Sequence, residues 1–208
     1  MQRSGALTLS QAVVPQTTLL TNAMLVLLGS AVVAVCAQIT IPMWPVPITG
    51  QTFAVLVVAT VLGSTRGALA LLAYLAEGLA GLPVFAGGNS AWVPNRFGEP
   101  YILGSTLGYL VGFVIAAYAV GWLAERRGMD REVWSASLLL LVGNVLLYLP
   151  GLIWLQIWLT AHALPTSVWQ AGLLPFIPGD LIKLVLAATI VPGAWRFVRA
   201  RPEGMGDR

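Results

Sequence analysis

Two charged side chains stand where charge is expensive. Asp180 and Lys183 lie three residues apart in Pro178-Gly179-Asp180-Leu181-Ile182-Lys183, at the head of an apolar run. That spacing puts both on one helix face. A carboxylate in the first turn meets unpaired backbone N–H groups and the positive end of the helix dipole. One account is an ion pair that neutralises itself and caps the helix. The other is a polar clamp on a ligand, favoured because charges inside a membrane mark functional sites by default.

Other polar residues punctuate the apolar sequence. The loop Ile41-Pro42-Met43-Trp44-Pro45-Val46-Pro47-Ile48-Thr49-Gly50-Gln51-Thr52 is rich in proline. Irregular backbone of this kind is tolerated at membrane depth only where protein buries it or water reaches it. Trp44 and Gln51 on that loop are candidate ligand contacts. Arg96 shares a later loop with Asn89, Asn95 and Glu99. It is either a bidentate partner for a carboxylate or an exposed charge paired with Glu99. Asn144 and Tyr148 share a helix face, to line a pocket or to bond neighbouring helices. Glu77 lies inside an apolar run; it is protonated, paired, or open to a polar cavity. His162 is expected as a solvated loop residue.

Composition sets the class that must hold these groups. Of 208 residues 58% are hydrophobic and 9% charged, with a mean hydropathy of +0.84. Soluble domains carry about 25% charged residues, so the chain reads as an all-α integral membrane protein. The net charge of +3 does not imply nucleic acid. Cys36, the single cysteine, allows no internal disulfide, and no His/Cys cluster suggests a metal. No GxSxG, HExxH or phosphate-cradling GxxxxGK[ST] appears, so no catalytic residue is assigned and no enzyme is expected. No cofactor is implied.

A spanning helix needs about 20 apolar residues. Six candidate spans result: 19–41, 52–63, 67–82, 102–124, 135–158 and 178–197. They form a membrane domain over 19–198, between an N-terminal cytoplasmic segment 1–18 and a C-terminal cytoplasmic tail 199–208. With both termini inside, the inner segments hold Arg3, Arg66, Arg126, Arg127, Arg131, Arg196, Arg199, Arg201 and Arg208, and the outer ones only Arg96. Positive residues collect on the cytoplasmic side. The two loops and the Asp180 helix start therefore converge on the outer face. Gly104, Gly108, Gly112 and Ala116 recur every four residues, a stripe that packs a neighbouring helix or a partner protein. No segment repeats another, so an inverted-repeat transporter is not supported.

The run Ala37-Gln38-Ile39-Thr40-Ile41-Pro42, followed by Pro45-Val46-Pro47-Ile48-Thr49-Gly50-Gln51-Thr52, resembles the hallmark of BioY proteins. These are the biotin-specific substrate-binding (S) components of energy-coupling factor transporters. The likeness continues at Tyr74, at Gly81-Leu82-Pro83-Val84-Phe85-Ala86-Gly87-Gly88, at Gly108-Tyr109 and at Pro178 to Lys183. It implies an S-component-like six-helix bundle in a bacterial inner membrane, biotin capture from outside, and partnership with a transmembrane coupling protein and ABC-type ATPases. It carries over Asp180, Lys183, Arg96, Asn89 and Tyr109 as binding residues. The bicyclic head of biotin offers two N–H donors and a carbonyl, and its tail a carboxylate; Trp44 and Tyr109 suit the apolar rings. Two rival classes stand beside this one. A self-sufficient secondary transporter would need a coupling-ion site, with Glu77 the obvious candidate. A membrane enzyme would need a catalytic cluster, which is not found.

Overall fold

The computed structural model describes residues 7–15 and 18–199. Short helix α1 (Leu9–Val13) precedes α2 (Leu19–Gln38). Strands β1 (Thr40–Ile41) and β2 (Ile48–Thr49) form an antiparallel pair, Thr40 opposite Thr49. Helices α3 (Gln51–Leu62) and α4 (Ser64–Leu79) follow. A long connection with one-turn 3-10 helices at Ala86–Gly88 and Tyr101–Leu103 leads to α5 (Leu107–Arg127). Then come α6 (Val133–Ala161), α7 (Val168–Gly172) and α8 (Ile177–Arg199).

Four helices, α2, α5, α6 and α8, are long and apolar enough to cross a membrane. At 12 and 16 residues, α3 and α4 are shorter. The central helix is α5: 56% of its most apolar stretch is buried, against 17% in α2, which turns most of its surface outward.

The apolar stripe on α5 explains the centre of the bundle. A Cβ on Gly108 would lie 2.3 Å from the Pro150 carbonyl oxygen, and one on Gly112 2.4 Å from that of Leu147. One on Gly121 would lie 2.4 Å from the Gly63 carbonyl carbon. Glycine thus lets α6 and the α3–α4 corner touch α5 backbone to backbone. Gly63 turns that corner alone, at φ +84°, a conformation glycine adopts without steric cost. The stripe is internal packing. Gly104, however, is not on the helix: α5 begins at Leu107, and Gly104 is extended, its carbonyl accepting from Trp154 Nε1 at 2.8 Å.

Residues 1–6, 16–17 and 200–208 of the two expected terminal segments lie outside the described residues. Within 7–15, where the sequence shows little pattern, α1 is closed by a capping box: Thr8 accepts from the Gln11 backbone, and Gln11 Oε1 from Thr8 N at 3.0 Å. Leu9 packs beside Val191 and Trp195 of α8.

Gly112→Ala is expected to lower the thermal unfolding midpoint in detergent by overpacking a backbone contact, a cost of about 1–3 kcal/mol. Gly193→Ala, with nothing within 4 Å of its Cβ, should raise stability by up to about 1 kcal/mol. Equal midpoints for the two would contradict the packing assigned to α5.

Candidate functional site

The β1–β2 hairpin places Gln51 at the first turn of α3, its amide N–H taken by Thr49 Oγ1 at 3.2 Å. Gln51 Oε1 accepts from Thr49 Oγ1 at 3.0 Å, and Nε2 donates to Tyr74 Oη at 2.7 Å. Next to it Thr52 points across to α8. Its hydroxyl donates to Asp180 Oδ1 at 3.2 Å and accepts from Lys183 Nζ at 3.0 Å. Lys183 also donates to Asp180 Oδ1 at 3.0 Å. From α6, Tyr148 donates its hydroxyl to Asp180 Oδ2. The pair expected on one face of α8 is thus joined, and two further helices tie into it.

Thr52 and Tyr148 line a small inner cavity, with Asp180 and Lys183 one hydrogen bond behind them. Gln51 and Tyr109 also line it; the other walls are mostly apolar, among them Val46, Phe113, Leu147 and Phe176. Tyr109 presents its ring, edge-on to Tyr148 with centroids 5.9 Å apart. Its hydroxyl is already used, donating to Gly172 O at 2.8 Å. A Cβ on Gly151 would strike the Tyr109 ring at 2.5 Å, so the glycine there makes room for the aromatic wall.

A wider outer cleft adjoins this cavity, the two sharing Pro47, Ala86, Tyr101 and Thr106. Trp44, Asn89 and Arg96 line it. The Arg96 guanidinium lies 5.7 Å from the Trp44 ring centroid. Asn89 Nδ2 is turned back to Ala86 O at 2.7 Å. Arg96 is not the partner of Glu99, which instead meets His162 Nε2 at 3.2 Å. His162 is correspondingly not a solvated residue but is packed against Phe97 and Trp158. Asn144 stands apart from both cavities. It lines an apolar groove between α6 and α8, with Nδ2 bonded to Leu140 O at 3.3 Å. Glu77 is also elsewhere: both its carboxyl oxygens lie 2.6 Å from Ser30 Oγ on α2. Ser30 is fully enclosed.

Sequence reasoning leaves Thr52 unassigned and Tyr148 open. Their signals are adjacency to Gln51 and the four-residue spacing from Asn144. No group of three or more His, Cys, Asp or Glu able to hold a metal occurs among the described residues.

These features define a helical membrane protein with a small-molecule cavity backed by a buried ion pair. The chain belongs to the BioY family, whose model matches residues 7–200. It is 37% identical over 161 residues to the biotin transporter BioY of Thermotoga maritima, covering 77% of this chain and 88% of that protein. It is 38% identical over 154 residues to the biotin transporter BioY of Rhodobacter capsulatus, covering 70% and 76%. Its fold matches a crystal structure of the S-component for biotin from an ECF-type ABC transporter. The TM-score is 0.71 at 26% identity, over 87% of this chain and 95% of the other. The chain is thus a multi-pass membrane protein of a transporter family, not an enzyme.

Tyr148→Phe keeps the ring contact with Tyr109 and removes one donor from Asp180. It should destabilise the ligand-free protein by about 1–3 kcal/mol, read as a lower unfolding midpoint in detergent. An unchanged midpoint would show that the Tyr148 bond carries no weight.

Proposed function

We propose that this protein takes up biotin, capturing it near the outer face and delivering it inward with an energy-coupling module. The observation that carries this reading is the Asp180–Lys183–Thr52–Tyr148 cluster behind a mostly apolar cavity. The biotin head presents two N–H donors and one carbonyl on an apolar bicycle. Asp180 supplies an acceptor for the N–H groups, and Lys183 a donor for the carbonyl. Gln51 adds an amide, while Tyr109 and Trp44 cover apolar surface. Arg96 matches the carboxylate tail with two parallel N–H bonds, and Asn89 lies beside it in the cleft. In this assignment the head sits inward and the tail points to the outer cleft. Asn144, in the groove between α6 and α8, stays outside this assignment.

The same proposal has α3 and α4 completing six membrane-crossing helices over 19–198, with 1–18 and 199–208 cytoplasmic. The arginines support it: Arg66, Arg126 and Arg127 sit at the helix ends opposite the cavity. The membrane is the bacterial inner membrane. The energy source is a transmembrane coupling protein with ABC-type ATPases, and α2, the most outward-facing helix, is available for contact with it.

Calorimetry with biotin on the detergent-purified protein tests the binding step. Saturable heat is expected; none with biotin, but a clear response to another vitamin, would overturn the ligand. Asp180→Asn should weaken binding roughly tenfold to a hundredfold, since an unpaired buried polar group costs about 1–3 kcal/mol. If Asp180→Asn combined with Lys183→Met restored wild-type affinity, the pair would be helix architecture alone, because removing both charges relieves only a structural pair.

Orientation is tested with Cys36 replaced and one cysteine placed at Gly5 or Gly204. Neither should react with an impermeant reagent in intact cells; labelling at either would reverse the proposed topology.

A further inference from the structure

His162 ends α6 beneath the turn formed by residues 95–99. Both of its ring nitrogens face acceptors. Nδ1 is 2.8 Å from Trp158 O, a carbonyl, and Nε2 is 3.2 Å from Glu99 Oε1, a carboxylate. A neutral imidazole has one N–H and satisfies one of these; the imidazolium has two and satisfies both. The ring also lies 4.3 Å, centroid to centroid, from both Phe97 and Trp158. Glu99 Oε2 accepts from Asn95 at 3.0 Å and from Trp158 Nε1 at 3.2 Å.

The turn is a single piece. Asn95 Oδ1 accepts from the backbone N–H groups of Phe97 at 2.8 Å and Glu99 at 3.1 Å. It carries Arg96 and Phe97, which with Trp158 wall the outer cleft. Its ties to the bundle are the Glu99 and Phe97 contacts at the end of α6 and the stacking of Arg96 on Trp44.

We propose that His162 is a positioning residue for ligand exchange: its imidazolium latches the 95–99 turn to the end of α6 and holds Arg96 over the cleft. Glu99 is the charged group that the loop brings to it. The neighbouring residues of α6, the 163–167 segment and α7 contain no titratable side chain. Arg96, the other charge on the turn, stacks on Trp44. Hydrogen bonds from Asn95 first, then Trp158, together with the His162 charge, hold the Glu99 carboxyl below its ordinary range. The anionic half of the latch thus persists into acid and is lost only as pH falls through that lowered value. The cationic half exists only where the ring holds both protons, since the neutral ring can donate to Trp158 O or to Glu99 but not to both.

The latch rests on the biotin reading only for its kinetic consequence, so two readouts are paired. Dissociation of labelled biotin from the purified full chain is followed at pH 5.5 and 8.0. In the wild type it should be about tenfold slower at pH 5.5, the scale of one charge-assisted hydrogen bond. His162→Phe keeps an aromatic ring between Phe97 and Trp158 and should be fast at both values; Glu99→Gln should behave alike. The second readout needs no ligand. Hydrogen–deuterium exchange of the peptide covering 95–101, corrected for intrinsic pH dependence, should be about tenfold more protected in the wild type than in His162→Phe at pH 5.5. The two should be equal at pH 8.0. The same pH profile in both proteins, by either readout, overturns the latch. Failure of the wild type to bind biotin overturns the ligand and leaves the exchange measurement to decide the latch.

Discussion

An ionised carboxylate removed from water costs several kcal/mol unless fixed donors replace the solvent. Asp180, 9% exposed, meets that requirement with donors from three helices: Thr52 on α3, Tyr148 on α6 and Lys183 on its own α8. No two of those helices are adjacent in the chain. The carboxylate therefore fixes the relative placement of three elements, and with it the back of the inner cavity. Taking away Lys183 alone would leave a buried charge uncompensated, a loss of about 3–5 kcal/mol. Such a cluster is a costly way to hold helices together, since apolar side chains of similar volume do so without desolvating charge. In the proposed function the same charges also meet the ligand.

The fourth wall follows from backbone packing. With glycines at 108 and 112, α5 rests directly on the carbonyls of Pro150 and Leu147. Pro150 has no N–H, so the carbonyl of Leu146 lacks its usual helical donor. The close approach carries Tyr109 onto Gly151 and edge-on to Tyr148. Tyr148 thereby serves two surfaces, its ring facing Tyr109 and its hydroxyl facing Asp180. Packing of α5 on α6 and the chemistry of the cavity are one arrangement, because one side chain belongs to both.

Much of this is legible in the sequence, for local reasons. The helices follow from long apolar runs, and the Asp180–Lys183 pairing from a three-residue spacing on a helix. The partners of that pair are not legible. Thr52 lies 128 residues from Asp180, and no periodicity links a threonine on α3 to a carboxylate on α8. Glu99 misleads for the same reason: three residues from Arg96, it invites a local pair, yet it binds His162 across the cleft wall. The start of α5 is misread because Ile102 and Leu103 extend its apolar run backwards and Gly104 falls in register with Gly108 and Gly112. The Tyr101–Leu103 turn and the extended Gly104 delay it to Leu107. Charge in lipid is a strong signal of function, but the direction in which a polar side chain points is set by tertiary packing.

Glu77 bears on where the energy for uptake enters. A protein that moves a solute uphill by itself must couple the cavity to an ion, most simply through an acidic group that both can reach. Among the described residues that line the inner cavity or the outer cleft none is Asp or Glu, and the nearest acid, Asp180, stands one hydrogen bond behind Thr52 and Tyr148. Glu77 turns away from both, with its two oxygens on the Ser30 hydroxyl of α2. That bond pins an outward-facing helix to α4, where an unpaired polar group would be expensive. It does so on the face of the bundle where α2 meets α4, while the inner cavity and the Asp180 cluster lie between α3, α5, α6 and α8. Placing the acid in the α2–α4 seam gives it a structural task remote from the ligand. In the proposed function Asp180 serves the ligand and not a coupling ion, and a partner module supplies the work of moving the solute.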